Sequence, residues 1–320
     1  MKVFLAGNWP GSRKKAMQLY LAGTERIPND VRAVNKSGGK NMELYLAEAD
    51  GVAAGYLKKL KEESERTMNV LLAGGEPQLK SAKEEQGISE KDLYKGAYIL
   101  QSFFYASDFT ENVIIPNCKD FLLDSGAFTF MTSAKGKNID WNDYIQRYAD
   151  FINKNHIKKY FELDIDSIVG LDKVLEIRKK LENLTGVKPI PVWHKSRGLE
   201  QFKKDASEYP YVAIGGIVSQ EITRKEYPAF SMLIAEAHRR GAKIHGLGFT
   251  NLEGIKKYHF DSVDSTAWVS GNRFGAVYYF DGKTMKKIGK KPGQRVKTNQ
   301  VAINNFNEWK KFSNYAERNL

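Results

Sequence analysis

FLLD at residues 121–124, YFELD at 160–164, PIPVWH at 189–194, YVAIGG at 211–216, KIHGLG at 243–248 and DSVDST at 261–266 form six short, largely apolar runs. Segments with helical periodicity separate them: WNDYIQRYADFINKN from Trp141, LDKVLEIRKKLENL from Leu171, LEQFKKDASEY from Leu199, EITRKEYPAFSMLIAEAHRR from Glu221 and LEGIKKY from Leu252. Strands alternating with helices are the pattern of parallel βα units. Pro228 predicts that the fourth helix kinks or starts late. Upstream, residues 1–7 (MKVFLAG) and 68–74 (MNVLLAG) read as buried strands, and 98–105 (YILQSFFY) reads equally as helix or strand. Two of these added to the six make eight strands. The expected fold is therefore α/β, a closed (β/α)8 TIM barrel, with an open doubly wound sheet as the alternative.

The barrel is expected to occupy residues 1–275, with 8–67 as an insertion or extension. Residues 276–320 are expected to form a basic hairpin and helix packed on it. Val277 to Phe280, the pair Asp281-Gly282, and Thr284 to Ile288 read as a β-hairpin with a DG turn. Residues 283–297 hold seven Lys or Arg and no acidic residue. The last helix, 303–319, carries Phe306, Trp309, Phe312 and Tyr315 at helical spacing, which reads as a packing face.

Composition narrows the partners. The 320 residues include 50 Lys and Arg against 38 Asp and Glu, a net charge of +12. That balance favours a polyanion such as nucleic acid. Cys118 is the single cysteine, which excludes an internal disulfide and a cysteine-based zinc site. No run approaches the roughly 18 apolar residues that span a bilayer, and residues 1–8 lack a secretory h-region. A cytoplasmic protein without membrane contact is expected.

In parallel α/β folds the chemistry gathers at the carboxyl ends of the strands. There the chain places Asp124, Asp164, His194, Gly215, Gly216, Leu247 and Asp264. Each has a plainer reading: helix cap for an aspartate, turn former for a glycine, satisfied core group for the histidine. Together, three carboxylates suit a reaction in which one attacks, one moves a proton and one reads a polar edge. Paired carboxylates at a glycosidic carbon do this through a glycosyl-enzyme. No cysteine or histidine cluster has metal spacing, so neither metal nor cofactor is expected. Lys286, Lys287, Lys290, Lys291 and Arg295 are candidate phosphate contacts, with a solvated loop as the plainer reading. Arg239, Arg240 and Lys243 form a lesser patch.

These residues resemble the tRNA-guanine transglycosylase superfamily. Asp124-Ser125-Gly126-Ala127-Phe128 is similar to its DSGGF signature, Gly215-Gly216-Ile217 to its GGL segment, and Asp261-Ser262-Val263-Asp264 to its DMFD pattern. The likeness spans about residues 120–275. It implies Asp264 as nucleophile and Asp124 as the proton-transfer group. It also implies Asp164, His194, Gly215, Gly216, Leu247, Phe128 and Ser125 as base-binding residues. His194 replaces a glutamine of the tRNA enzymes, and their zinc site of three cysteines and one histidine is absent, since no cysteine follows Cys118 and no histidine follows His259. The Asp264-Ser265-Thr266-Ala267-Trp268 run is closer to phage-encoded enzymes that insert 7-deazaguanine derivatives into DNA. The implied substrates are DNA and a free base such as 7-cyano-7-deazaguanine, in the host cytoplasm if the protein is phage-encoded. A zinc-less enzyme acting on tRNA, a different barrel hydrolase or lyase, and a non-catalytic nucleic-acid-binding barrel are the alternatives.

Overall fold

The computed structural model describes residues 68–73, 89–127, 129, 139–269, 275–289 and 298–320. The expected strand at 1–7 and the segment 8–67 lie outside them. Seven parallel strands form the central sheet: β1 (Asn69–Ala73), β2 (Tyr98–Ser102), β3 (Asp120–Asp124), β4 (Val192–Trp193), β5 (Tyr211–Ile214), β6 (Lys243–Gly246) and β7 (Ser262–Ser265). Their order is β3-β2-β1-β7-β6-β5-β4. The first strand thus pairs with the last, Val70 opposite Val263 and Leu71 opposite Asp264. The ambiguous run at 98–105 is strand to Ser102, then one 3-10 turn.

The two edges of this curled sheet are not left open. Residues 160 and 161 make single parallel bridges to both, Tyr160 to Leu123 and Phe161 to Ile190. Phe161 N–H donates to Leu123 C=O at 3.0 Å, and Ile190 N–H to Tyr160 C=O at 2.8 Å. Glu162, inside the run read as apolar, is a buried ion, and its N–H continues the seam by donating to Ile190 C=O at 3.0 Å. Its carboxylate accepts Val192 N–H at 2.8 Å and Arg197 Nη1 at 2.7 Å, and also pairs with Arg178. Arg178 in turn pairs with Asp205, and Arg197 with Asp166. The two guanidiniums hold the Glu162 carboxyl below its usual range although burial opposes them.

Strand residues alternate between two faces. Leu71, Ala73, Tyr98, Leu100, Leu122, Phe161, Ile190, Val192 and Ala213 make one cluster on the inner face. Val70, Leu72, Ile99, Val212, Ile214, Ile244 and Val263 face outward into the helix-lined core. The helices are α1 (Glu90–Tyr94), α2 (Trp141–Lys154), α3 (Leu171–Thr185), α4 (Gly198–Glu208), α5 (Phe230–Arg239), α6 (Leu252–Tyr258) and α7 (Thr298–Asn319). Asp140 caps α2 by accepting from Asn142 and Asp143 N–H. Pro228 falls in a 3-10 turn, so α5 begins only at Phe230, the late start expected from the proline.

The C-terminal helix is part of this architecture. Phe306, Trp309 and Phe312 of α7 bury into the same cluster as Val70 and Leu72, and Ser313 hydroxyl donates to Val70 C=O at 2.6 Å. The hairpin β8 (Val277–Phe280) and β9 (Met285–Ile288) is antiparallel as expected. Its loop runs over 281–284, one residue more than the three left between the expected strands, and Asp281 Oδ1 accepts from Lys283 and Thr284 N–H within it. Asn305 fastens the hairpin to α7, accepting Tyr278 N–H and donating to Ala276 C=O. Among the described residues no helix is long and apolar enough to cross a membrane.

Two substitutions test this account. Trp309→Ala should cost about 3–5 kcal/mol in urea unfolding, the usual effect of emptying a core aromatic site. Glu162→Gln leaves two buried guanidiniums short of charge and should cost a similar ~3–5 kcal/mol. In the Glu162 variant, hydrogen exchange should accelerate first at the amides of Phe161 and Ile190.

Candidate active site at the strand carboxyl ends

The inward alternation carries Asp124, His194, Gly215, Leu247 and Asp264 to the carboxyl end of the strand ring, one residue or turn beyond the apolar inner cluster. The sequence expectation that these groups share one face is met, and Asp164 joins them through His194. Neither Asp164 nor Asp264 caps a helix.

Asp164, His194 and Glu221 form one hydrogen-bonded line. His194 Nε2 lies 3.1 Å from Asp164 Oδ2, and Nδ1 lies 3.1 Å from Glu221 Oε2. Glu221 Oε1 accepts Ser196 N–H at 2.7 Å. Burial works against the imidazolium, but the Asp164 carboxylate outweighs it and the His194 pKa is raised. With a carboxylate at each nitrogen, the doubly protonated ring satisfies both. Glu221 was read from sequence only as a helix start. It sits instead in the loop before the 3-10 turn, 27 residues from His194, a separation that no local pattern reveals.

This line also sets the glycines. Gly216 has φ +78°, and a Cβ there would stand 2.9 Å from Glu221 Oε2. Gly215 does not offer its N–H to a ligand as expected: it donates to Trp193 C=O at 2.8 Å and continues the β4–β5 ladder. Gly216 N–H is left as the backbone donor of this turn, with no partner among the described residues.

Asp264 is 5% exposed. Its Oδ1 accepts Gly248 N–H and lies 3.2 Å from His245 Nε2. Oδ2 has no partner among the described residues. Gly248 (φ +72°) is constrained as well, since a Cβ would meet Val218 Cγ2 at 2.3 Å. Both His245 and Gly248 lie in the KIHGLG run, where the sequence alone gives neither a role. Leu247 is half-buried beside the inner cluster, its N–H spent on Ile214 C=O at 3.0 Å.

Asp124 ends β3 opposite Ser102 of β2. Its Oδ2 accepts Gly126 N–H at 3.0 Å. Burial, followed by the negative charge of Asp164, pushes its pKa up to about 7, while the Gly126 N–H holds it down and Asp264 adds a smaller upward push. Asp124 therefore feels both of the other carboxylates. Ser125 does not join them at the surface: it is fully buried, its hydroxyl accepts Ala127 N–H, and its carbonyl accepts the Tyr144 hydroxyl. The first aspartate of DSVD, Asp261, is structural, bound to His238 Nε2 at 2.7 Å and Ile244 N–H at 2.8 Å.

Phe128 lies outside the described residues, as do Lys290, Lys291 and Arg295 of the basic run. Lys286 and Lys287 are exposed on β9, and Lys286 Nζ lies 3.6 Å from Asp281 Oδ2. The lesser patch is a poor phosphate site. Arg239 and Arg240 both pair with Glu236 and precede β6, whose first residue is Lys243, so all three lie at the end of the strands opposite the carboxylates. Among the described residues no His, Cys, Asp and Glu group could hold a metal ion.

Two measurements check the electrostatics. The Asp124 carboxyl titrates higher in the folded than in the unfolded chain, so its contribution falls as pH rises from about 4 to about 7 and stays low above that. Asp124→Asn should therefore raise stability by roughly 1–3 kcal/mol at pH 8, with the gain shrinking toward pH 4. In an NMR titration, Asp164→Asn should lower the His194 pKa, because it removes the charge that holds the proton.

No family model matches the chain, and no curated protein matches it. Among solved structures, the chain is similar to a Coccidioides immitis protein assigned as a fructose-1,6-biphosphate aldolase. The two share 11% identity over 81% of this chain and 90% of the other, with a TM-score of 0.45.

Proposed function

We propose that the protein is a guanine transglycosylase that replaces guanine in DNA with a 7-deazaguanine derivative through a glycosyl-aspartate. The observation that carries this reading is one face holding two carboxylates of different character. Burial pushes the Asp124 carboxyl up to about 7, and Asp264 has one oxygen engaged by Gly248 N–H and the His245 ring nitrogen and the other free of partners among the described residues. Two such groups flanking a glycosidic carbon serve as proton donor and nucleophile. The curled parallel sheet is taken as a (β/α)8 barrel whose eighth strand is the bridged segment at 160–161.

In this reading a guanosine is extruded from its strand into the mouth. Asp264 Oδ2 attacks C1′ as the C1′–N9 bond breaks, and the bonding pair leaves with guanine. Protonated Asp124 supplies the proton to the departing base. A 7-substituted deazaguanine then enters. Asp124 takes its N9 proton, N9 bonds to C1′, and Asp264 leaves as the carboxylate. Asp164 accepts from the guanine-type N1–H and 2-amino group, which adenine cannot reproduce. Because Glu221 and Asp164 claim both nitrogens of His194, the histidine orients Asp164, and the Gly216 N–H is the better donor to the base carbonyl. Leu247 covers a ring face. The net charge of +12 supports a nucleic-acid substrate, and exposed Lys286 and Lys287 supply phosphate contacts. DNA is preferred over tRNA because the residues of a zinc subdomain are missing.

Radiolabelled guanine offered with DNA and with unmodified tRNA tests the reading. Label should enter DNA and be lost in Asp264→Asn, which should also form no covalent adduct. Label entering tRNA alone would transfer the activity to tRNA, and label in neither would remove it. Asp124→Asn should slow exchange by roughly 10²–10⁴-fold. The two half-reactions should depend oppositely on pH around 7: adduct formation needs Asp124 protonated and slows as pH rises, while adduct resolution needs it ionised and slows as pH falls.

A further inference from the structure

Behind Asp264 the inner face of the sheet carries a polar chain that the steps above do not use. Tyr211 hydroxyl meets Ser262 Oγ, Ser262 Oγ lies 2.5 Å from His245 Nδ1, and His245 Nε2 lies 3.2 Å from Asp264 Oδ1. The residues come from three neighbouring strands, β5, β6 and β7, held in register by His245 opposite Ser262 and Ala213 opposite His245. His245 is fully buried, and Phe161 packs on its ring with centroids 5.3 Å apart. A buried imidazole with defined partners at both nitrogens has its tautomer set by them.

We infer that His245 is a positioning residue for Asp264, and that the Tyr211–Ser262 pair fixes its tautomer; the inference rests on the transglycosylase reading of Asp264. One direction of donation satisfies every link. Tyr211 O–H donates to Ser262, Ser262 O–H donates to Nδ1, and Nε2–H donates to Asp264 Oδ1. With Gly248 N–H on the same oxygen, the carboxylate is held on one edge by donors from β6 and from the turn that follows it, and its Oδ2 edge is turned to the mouth. Reversing the chain would aim a lone pair of Nε2 at the carboxylate, which the 3.2 Å contact disfavours. His245 does not touch the substrate. It fixes the angle of attack, so its removal acts on the rate of adduct formation and not on base binding, which belongs to Asp164, oriented by His194, and to Gly216 N–H.

The test compares His245→Leu with His245→Gln, because glutamine retains an Nε2–H donor at nearly the same reach. His245→Leu should lower kcat by roughly 10²-fold, the scale of losing one preorganised N–H donor in an active site, with KM for the free base within about twofold. His245→Gln should recover most of that loss, and Tyr211→Phe should lower kcat several-fold without moving KM. Melting temperatures of the variants identify any that fail to fold. In the unmodified protein, 15N NMR of the imidazole should show the proton on Nε2, and Asp264→Asn should shift that resonance. Equal kcat in the leucine and glutamine variants, or a loss that appears only in KM, would overturn the inference. So would a neutral ring protonated on Nδ1. If the wild-type protein exchanges no base at all, the transglycosylase reading fails separately, and the NMR measurement still decides whether this chain orients Asp264.

Discussion

The buried carboxylate of Glu162 is the interaction on which the rest depends. Six of the strand contacts are ladders of two or more residue pairs, but the segment at 160–161 touches each neighbour through one bridge. Two bridges do not close a sheet against its own twist. Glu162 adds a third attachment by taking Val192 N–H, and it draws Arg178 of α3 and Arg197 of the loop after β4 to one point. Such an arrangement tolerates burial only because every charge has a partner; with one removed, the uncompensated ion destabilises strongly. The same network orders Asp164, two residues on, and His194, three residues before Arg197. The seam of the sheet and one half of the candidate site are therefore a single construction.

The other half is built differently. Asp264 and His245 sit on β7 and β6, which lie in the continuous part of the sheet and whose outward residues Val263 and Ile244 are buried against the helices. Gly248 adds a donor from the turn that follows β6. Regular ladder pairing and apolar burial place these groups, with the buried Asp261–His238 pair and the Ile244 N–H bond to Asp261 joining β6 to the start of β7. The nucleophile candidate is thus on the half of the mouth built by continuous ladders, and the Asp164–His194–Glu221 line on the half organised around the Glu162 network.

What the sequence makes legible follows from this difference. Strands β1, β3 and β5 announce themselves because burial on both faces demands continuous apolar runs, while β6 and β7, with His245, Ser262 and Asp264 on them, are read from their place in the alternation of strands and helices. The three aspartates and His194 were legible because they terminate those runs. Glu162 was not, although a charged residue in the middle of YFELD was a visible signal that the run is not an ordinary strand. Glu221 and the roles of His245 and Gly248 were not legible, since each depends on a contact between segments 16 to 27 residues apart. Ser125 misled for the opposite reason. It neighbours Asp124 in sequence, but successive residues leave a strand end in opposite directions, and its hydroxyl turns into the protein.

The same constraint bears on how glycine is used here. In a dinucleotide-binding loop, glycines admit a phosphate. At Gly216 and Gly248 the space that a Cβ would fill is already occupied by the protein's own Glu221 and Val218. These two positions therefore do not by themselves mark a cradle for a ligand. They let the backbone turn sharply enough to lay a carboxylate partner or an N–H donor beside the aspartates. That geometry places Gly248 N–H on Asp264 and lets Glu221 reach His194 past Gly216, so each glycine acts on the site through a hydrogen-bonding group that a larger residue would displace.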